Sequence, residues 1–310
     1  MSKSRYSLLP IEHENLWKAY KTQQMAFWTA EEIDLGTDIQ NLDKLNEDEL
    51  HFIKHILAFF NESDGMVNEN LAMRFYDDVK IPEARAFYSA QILIETVHSE
   101  TYGNLLEAYV KDPEERMRLF NATLNIPAIA KKGEWFKKWI SSNEDFAKRL
   151  VAFSIIEGVF FSGSFCAIYW LKNRKGGMYP GLSKANQFIA RDEGLHCEFA
   201  ATLFHEMGLH ISDEDFYAII DESVFIEKEF ITESLPVALI GMNAKLMKEY
   251  IEYVADTICD LFDIPKRFNT ENPFDFMSLI DATNQSNFFE SRVSEYSKVE
   301  DQSMEVTDDF

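Results

Sequence analysis

Basic residues are scarce in this 310-residue chain: 30 Lys and Arg stand against 53 Asp and Glu, a formal net charge of −23. Phosphate contacts need clustered cations, so a nucleic-acid binder is excluded. Cysteine is scarcer still. Cys166, Cys197 and Cys259 are widely spaced and form no Cys-x-x-Cys pair; this excludes a disulfide framework and a zinc ribbon and suits a reducing compartment. No Gly/Ser-rich or Pro-rich linker, composition shift or short internal repeat divides the chain, so one large helical domain is expected. The opening MSKSRYSLLPIEHENLW lacks the apolar core of a signal peptide. A cytoplasmic location is therefore expected, with the sequons at Asn61, Asn121 and Asn284 chance matches. No alternating run of apolar and polar residues demands a sheet.

What is present is helix and a large core, 46% of residues being hydrophobic. Asn46 is placed to cap a helix starting near Glu47, with Leu50, Ile53, Ile56, Leu57 and Phe60 on one face. A second helix begins at Pro82 and ends before Pro113, a third helical region lies between Pro127 and Pro180, and a fourth follows Gly181 and stops near Gly208. Further helices are expected around 213–230 and 237–262. The stretch from Val151 to Leu171 is long enough to span a bilayer, with Glu157 its only charge. A central acid costs about 2.5–3.5 kcal/mol on insertion, and no comparable second segment exists. It reads as a buried bundle helix whose Glu157 needs a partner, and no membrane is expected.

Two Glu-x-x-His pairs, Glu95 with His98 and Glu193 with His196, lie in strongly helical surroundings, each a few dozen residues after a lone carboxylate, Asp64 or Glu157. Residues three apart share a helix face, so each pair can offer a carboxylate and an imidazole to one ion. One such pair is ordinary on a solvated face. Two in apolar surroundings, with two further acids, form a dinuclear site on four helices. Four buried carboxylates repel one another unless protonated or neutralised, and two divalent cations are the natural compensation. Oxygen-rich donors with one nitrogen per ion suit iron or manganese.

Tyr102 lies one turn beyond His98 on the same stripe, which puts a phenol beside the ions. Phe161 and Phe165 follow Glu157 by four and eight residues, and Ile189 precedes Glu193 by four; together they can form a dry pocket around the phenol. Asp192, facing another direction from Glu193, is a candidate for fixing the tautomer of a ligand histidine.

The segments FWTAEEIDLGTD, FFNESDGMVNENL, IETVHSETY, EGVFFSGSF and RDEGLHCEFA, in that order, resemble the class I ribonucleotide reductase small subunit, particularly its eukaryotic and viral branch. The resemblance implies an all-α, ferritin-like helical bundle, with extra helices around the metal-binding core. It implies two iron ions per chain (manganese or a mixed pair being the alternative): Asp64, Glu95 and His98 would hold one, and Glu157, Glu193 and His196 the other, with bridging glutamates. Dioxygen would be the oxidant and Tyr102 would carry a stable radical. Trp28, Asp192, Arg191 and the tail residue Tyr296 would carry the oxidising equivalent to a large subunit that reduces ribonucleoside diphosphates. A homodimer is implied as well. The helical domain would cover residues 1–290, with 1–20 an N-terminal arm, and residues 291–310 would be a flexible acidic tail. That tail is mostly acidic and ends in Phe310, as expected of a peptide that docks on the large subunit. A ferritin-like oxidase could use the same ligands but would not need Tyr102 or the tail; a metal-free scaffold would not need the buried acids. The segment NRKGGMYPG is slightly longer than the family pattern.

Overall fold

The computed structural model describes residues 7–277. Two compact units divide after Pro273, and of the second only residues 274–277 are described. The acidic tail, with Tyr296 and Phe310, lies outside the described residues, as does the boundary expected near residue 290.

Helices dominate and no strand occurs among the described residues. Helix α1 is Glu14–Met25, α2 Glu47–Asn70, α3 Pro82–Tyr109, α4 Pro113–Phe120 and α5 Pro127–Ile140. Helix α6, Phe146–Ile155, runs through a π-helical turn, Ile156–Phe160, into α7, Phe161–Arg174. Then come α8, Pro180–Glu206, α9, Asp213–Glu229, and α10, Ala244–Leu261.

Local chemistry sets these boundaries. Asn46 Oδ1 accepts the Glu49 N–H at 2.8 Å while Glu49 Oε2 accepts the Asn46 N–H at 3.0 Å, the reciprocal box that starts α2. Pro82, Pro113, Pro127 and Pro180 open their helices, where a missing N–H costs nothing. Gly208, at φ +61°, ends α8 in the left-handed conformation, with Leu209 N–H reaching back to Phe204 O at 3.0 Å. The region expected as one helical stretch between Pro127 and Pro180 is interrupted at residues 141–145, where Asp145 caps α6 by accepting the Lys148 N–H. Likewise, the last helix starts at Ala244 rather than near 237. Gly241, at φ +73°, ends a short 3-10 turn first, and Asn243 Oδ1 then accepts from Lys245 and Leu246.

Four elements close around a common centre: α2 against α3, α3 against α8, α8 against both α6 and α7, and α7 against α2. Helix α1 covers α3 and α8, α5 lies on α2, and α9 and α10 back the α6–α7 rod. The faces turned inward are apolar. Phe52, Ile53, Ile56, Leu57 and Phe60 of α2 are all buried, each contributing about 1.5–3 kcal/mol. The α6–α7 rod is the one element long and apolar enough to cross a membrane by composition, and 94% of its most apolar window is buried inside the protein. It is the bundle's central helix. The start of α8 is pinned from outside: buried Asp38 accepts N–H bonds from Gly181 and Leu182 and the Tyr109 hydroxyl. A side chain at Gly181 would collide with Asp34 O and Leu35, so this anchorage requires glycine.

Candidate metal centre

Each of the four elements delivers ligand-type side chains to one buried cluster. Helix α2 supplies Asp64, α3 supplies Glu95 and His98, the π-turn supplies Glu157, and α8 supplies Glu193 and His196; all six are 2% exposed or less. Donor atoms of Asp64, Glu95 and His98 fall within 4.8 Å of one another, and so do those of Glu95, Glu157, Glu193 and His196. Glu95 belongs to both groups. Its Oε2 lies 3.4 Å from His98 Nδ1 and its Oε1 3.0 Å from His196 Nδ1. Glu193 also faces both imidazoles, 3.3 Å from His98 Nδ1 and 2.9 Å from His196 Nδ1.

The donor set fits cations on a direct observation. Among the described residues, both oxygens of Asp64, both of Glu95, Oε1 of Glu193 and Oε2 of Glu157 are buried without an aligned hydrogen-bond donor. Orphaned acceptors of this kind are costly in a protein interior. The electrostatics of the cluster offset that cost in part. Burial, then repulsion from Glu95, raises Asp64 well above the usual carboxylate range. Burial, then Glu193 and Glu95, does the same to Glu157. Burial would also raise Glu193, but the neighbouring Glu157, His196 and His98 outweigh it and hold Glu193 below the usual carboxylate range. Burial disfavours charge on His98 and His196, yet the carboxylates facing them raise both. Protons thus stand in for positive charge, and two divalent ions would replace them.

The surroundings are ordered on both sides. Beyond His98, Asp192 Oδ2 lies 3.1 Å from Nε2 and accepts the Trp28 indole N–H at 2.7 Å. Arg191 reaches Asp192 Oδ1 through Nε at 3.1 Å and through a terminal nitrogen at 2.9 Å, and that terminal nitrogen also donates to Ala26 O at 2.7 Å. Burial opposes ionisation of Asp192, but His98, Arg191 and Trp28 together keep its carboxyl below the ordinary value. An ionised Asp192 can only accept, so His98 donates from Nε2 and turns Nδ1 to the cluster. Trp28 lies against the His98 ring, with centroids 5.8 Å apart.

Tyr102 is buried, and its hydroxyl has no hydrogen-bond partner. Phe60 stacks on it at 4.7 Å and 9°, Phe165 stacks on Phe60 at 4.9 Å, and Phe161 meets Phe60 edge-on at 5.5 Å. Burial, then the carboxylate of Asp64, pushes the phenol well above its ordinary value. Ile189 is fully buried on α8, one turn before Glu193.

The structure therefore gathers Asp64, Glu95, His98, Glu157, Glu193 and His196, sets Asp192, Trp28 and Arg191 in one network reaching out from His98, and places Phe161 and Phe165 around the residue that covers Tyr102. Sequence reasoning missed the role of Phe60, which lies four residues before Asp64 on the same stripe. It also missed Gln91, four residues before Glu95, whose amide nitrogen is 3.3 Å from Glu157 Oε1. Both offsets were readable signals.

Known proteins place this arrangement. The family profile "Ribonucleotide reductase, small chain" matches residues 5–273. The ribonucleoside-diphosphate reductase small chain from Nicotiana tabacum is 50% identical, covering 96% of this chain and 90% of that protein. The small chain from Vaccinia virus (strain Ankara) is 49% identical, covering 96% and 92%. Among solved structures, the Rnr4 homodimer from Saccharomyces cerevisiae superposes with a TM-score of 0.80 at 36% identity, over 95% of this chain and 90% of that one. The protein belongs to the ribonucleotide reductase small-chain family, whose members use a dinuclear metal site to generate a tyrosyl radical for a large catalytic subunit.

Proposed function

We propose that Tyr102 is the radical residue of this protein, that Asp64, Glu95 and His98 hold one metal ion and Glu157, Glu193 and His196 the other, and that both ions are iron. The observation that supports this most directly is the convergence of four carboxylates and two imidazoles in the same buried core as a partnerless phenol. Once bound, two iron ions would supply, with dioxygen, the oxidising power that removes an electron from the phenol.

The protein's own residues set the terms of that oxidation. Tyr102 keeps its proton throughout the physiological range, so electron and proton must leave together, and Asp64 is the carboxylate that bears most strongly on the hydroxyl. Phe60, Phe161 and Phe165 keep water and reductants from the ring. Asp192 orients His98 and receives the Trp28 N–H, so Trp28, Asp192 and Arg191 form the inner end of an export route, with Tyr296 its outer end. The acidic tail ending in Phe310 docks on the large subunit, and the protein forms a homodimer, the form in which the yeast neighbour was solved. Three buried, unpaired thiols suit the reducing cytoplasm.

The test is electron paramagnetic resonance after metal-free protein is loaded with ferrous iron and exposed to air. A tyrosyl signal is expected in the parent and none in Tyr102→Phe, with two irons per chain in both. Two irons oxidised without any radical in the parent would favour a simple oxidase instead. Removing residues 291–310 should leave the radical intact and abolish turnover with the large subunit.

A further inference from the structure

Away from the cluster, Lys132 of α5 is wholly buried. Its ammonium forms an ion pair with Glu227 of α9, itself wholly buried, and donates to Phe160 O at 2.9 Å. The nitrogen lies between two aromatic faces, 3.8 Å from the ring centres of both Phe59 and Phe230. Gly163 makes room for the acid, since a Cβ there would lie 2.6 Å from Glu227 Oε1. Burial drags the lysine down to about 8 and the glutamate up to about 7. Desolvation therefore takes back much of the pair's attraction, and an apolar pair of the same shape would fold as well or better. Stability alone does not account for it.

Its neighbours suggest what does. Phe160 is the last residue of the π-turn that carries Glu157. Where a π-turn gives way to α-helix, the bonding offset falls from five residues to four, and one carbonyl must share a donor or find another. At this junction Lys132 serves Phe160 O and the Ser162 hydroxyl serves Val159 O at 2.8 Å. Phe59, below the ammonium, lies 5.6 Å from Phe60, which covers Tyr102.

We propose that Lys132, tethered by Glu227, is a positioning residue that locks the π-turn in the register presenting Glu157 to the metal centre and steadies the Phe59–Phe60 wall behind Tyr102. This rests on reading Glu157 as a metal ligand, and the test separates the two ideas. Metal-free protein is titrated with Mn(II), free ion being read by electron paramagnetic resonance, for the parent, E157A, E227Q and K132M/E227L. K132M alone would strand the Glu227 carboxylate, so the double replacement is the informative one. Expected are two ions in the parent and one in E157A. E227Q, which keeps the bond from Lys132 to Phe160, should retain both sites. K132M/E227L should fold but bind the second ion about ten-fold or more weaker, the usual range for partners that orient ligands, and its iron-loaded form should lose the radical faster. If K132M/E227L binds both ions like the parent, the positioning role is overturned. If it does not fold, K132L/E227M, which likewise offers Phe160 O no donor, decides by the same titration, and parent-like binding there overturns the role equally. Two ions in E157A would instead overturn the ligand reading of Glu157.

Discussion

Loading divalent cations into the metal-free protein should expel protons. Four groups in the cluster bind a proton more readily than usual, and a metal would displace it. Asp64 and Glu157 are raised by burial and by neighbouring carboxylates, and His98 and His196 are raised, against burial, by the carboxylates they face. Ligation needs neutral imidazole and ionised carboxylate, so filling both positions releases up to four protons per chain; Glu193, already ionised, contributes none. The sign follows from the direction of the shifts. Each of these groups is protonated more readily in the metal-free state, so affinity rises as pH climbs through the metal-free pKa values and levels off above them. Every proton released makes binding ten-fold tighter per pH unit, about 1.4 kcal/mol. With four protons shared between two ions, each ion's affinity should steepen by roughly two decades per unit. Calorimetric titration with Mn(II) in buffers of differing ionisation enthalpy counts the protons directly. Release of less than one proton per chain, with affinity flat across neutral pH, would refute the electrostatic account of the cluster.

Tyr102→Phe removes a buried hydroxyl that has no partner, so the metal-free variant should be as stable as the parent or up to about 1–3 kcal/mol more so; a clear loss in urea unfolding would mean the hydroxyl is bonded. Phe60→Ala, which strips the stack from Tyr102 and Phe165, should cost about 3–5 kcal/mol and shorten the radical's lifetime. An unchanged lifetime would show that Phe60 does not shield the ring. Asp192→Asn cannot accept from Trp28, pair with Arg191 and take the His98 proton all at once. Cation binding at the His98 position should weaken about 10- to 100-fold with the Glu157 position unaffected, and equal affinity at both would contradict the tautomer argument.

The candidate ligands could be brought together from sequence because helical spacing is rigid: Glu95 with His98 and Glu193 with His196 are a turn apart wherever those helices lie, and their apolar surroundings said that the turn faces inward. Capping chemistry was equally local, which is why Asn46, Pro82 and Gly208 mark real boundaries. The π-turn was not legible. It packs closely against distant parts of the chain at Gly158, where a Cβ would lie 2.7 Å from Ile258 Cδ1 and 3.3 Å from Cys197 Sγ. Counting four and eight residues from Glu157 to Phe161 and Phe165 assumed an unbroken α-helix, and the two phenylalanines reach Phe60 by a different register. Lys132 shares a helix stripe with Ile129 and Phe136, all of them buried, a pattern that sets it apart from its neighbour Lys131. Its partner Glu227 lies 95 residues away, beyond any periodicity.

The π-turn also restricts how this protein can change over generations. Between Phe146 and Arg174 the rod carries one residue more than a continuous α-helix would need. Deleting one of residues 156–160 would let the rod close into a continuous α-helix and lose the turn that carries Glu157, whereas deleting a residue between Phe146 and Ile155 would rotate everything beyond it by about 100°, turning Gly163 away from Glu227 and Phe165 away from Phe60. The number of residues along this rod can therefore change without a shift of register only at the π-turn. Where the backbone leaves α7, Gly176 and Gly177 turn it at positive φ, within the NRKGGMYPG segment, and there no helical register constrains the count.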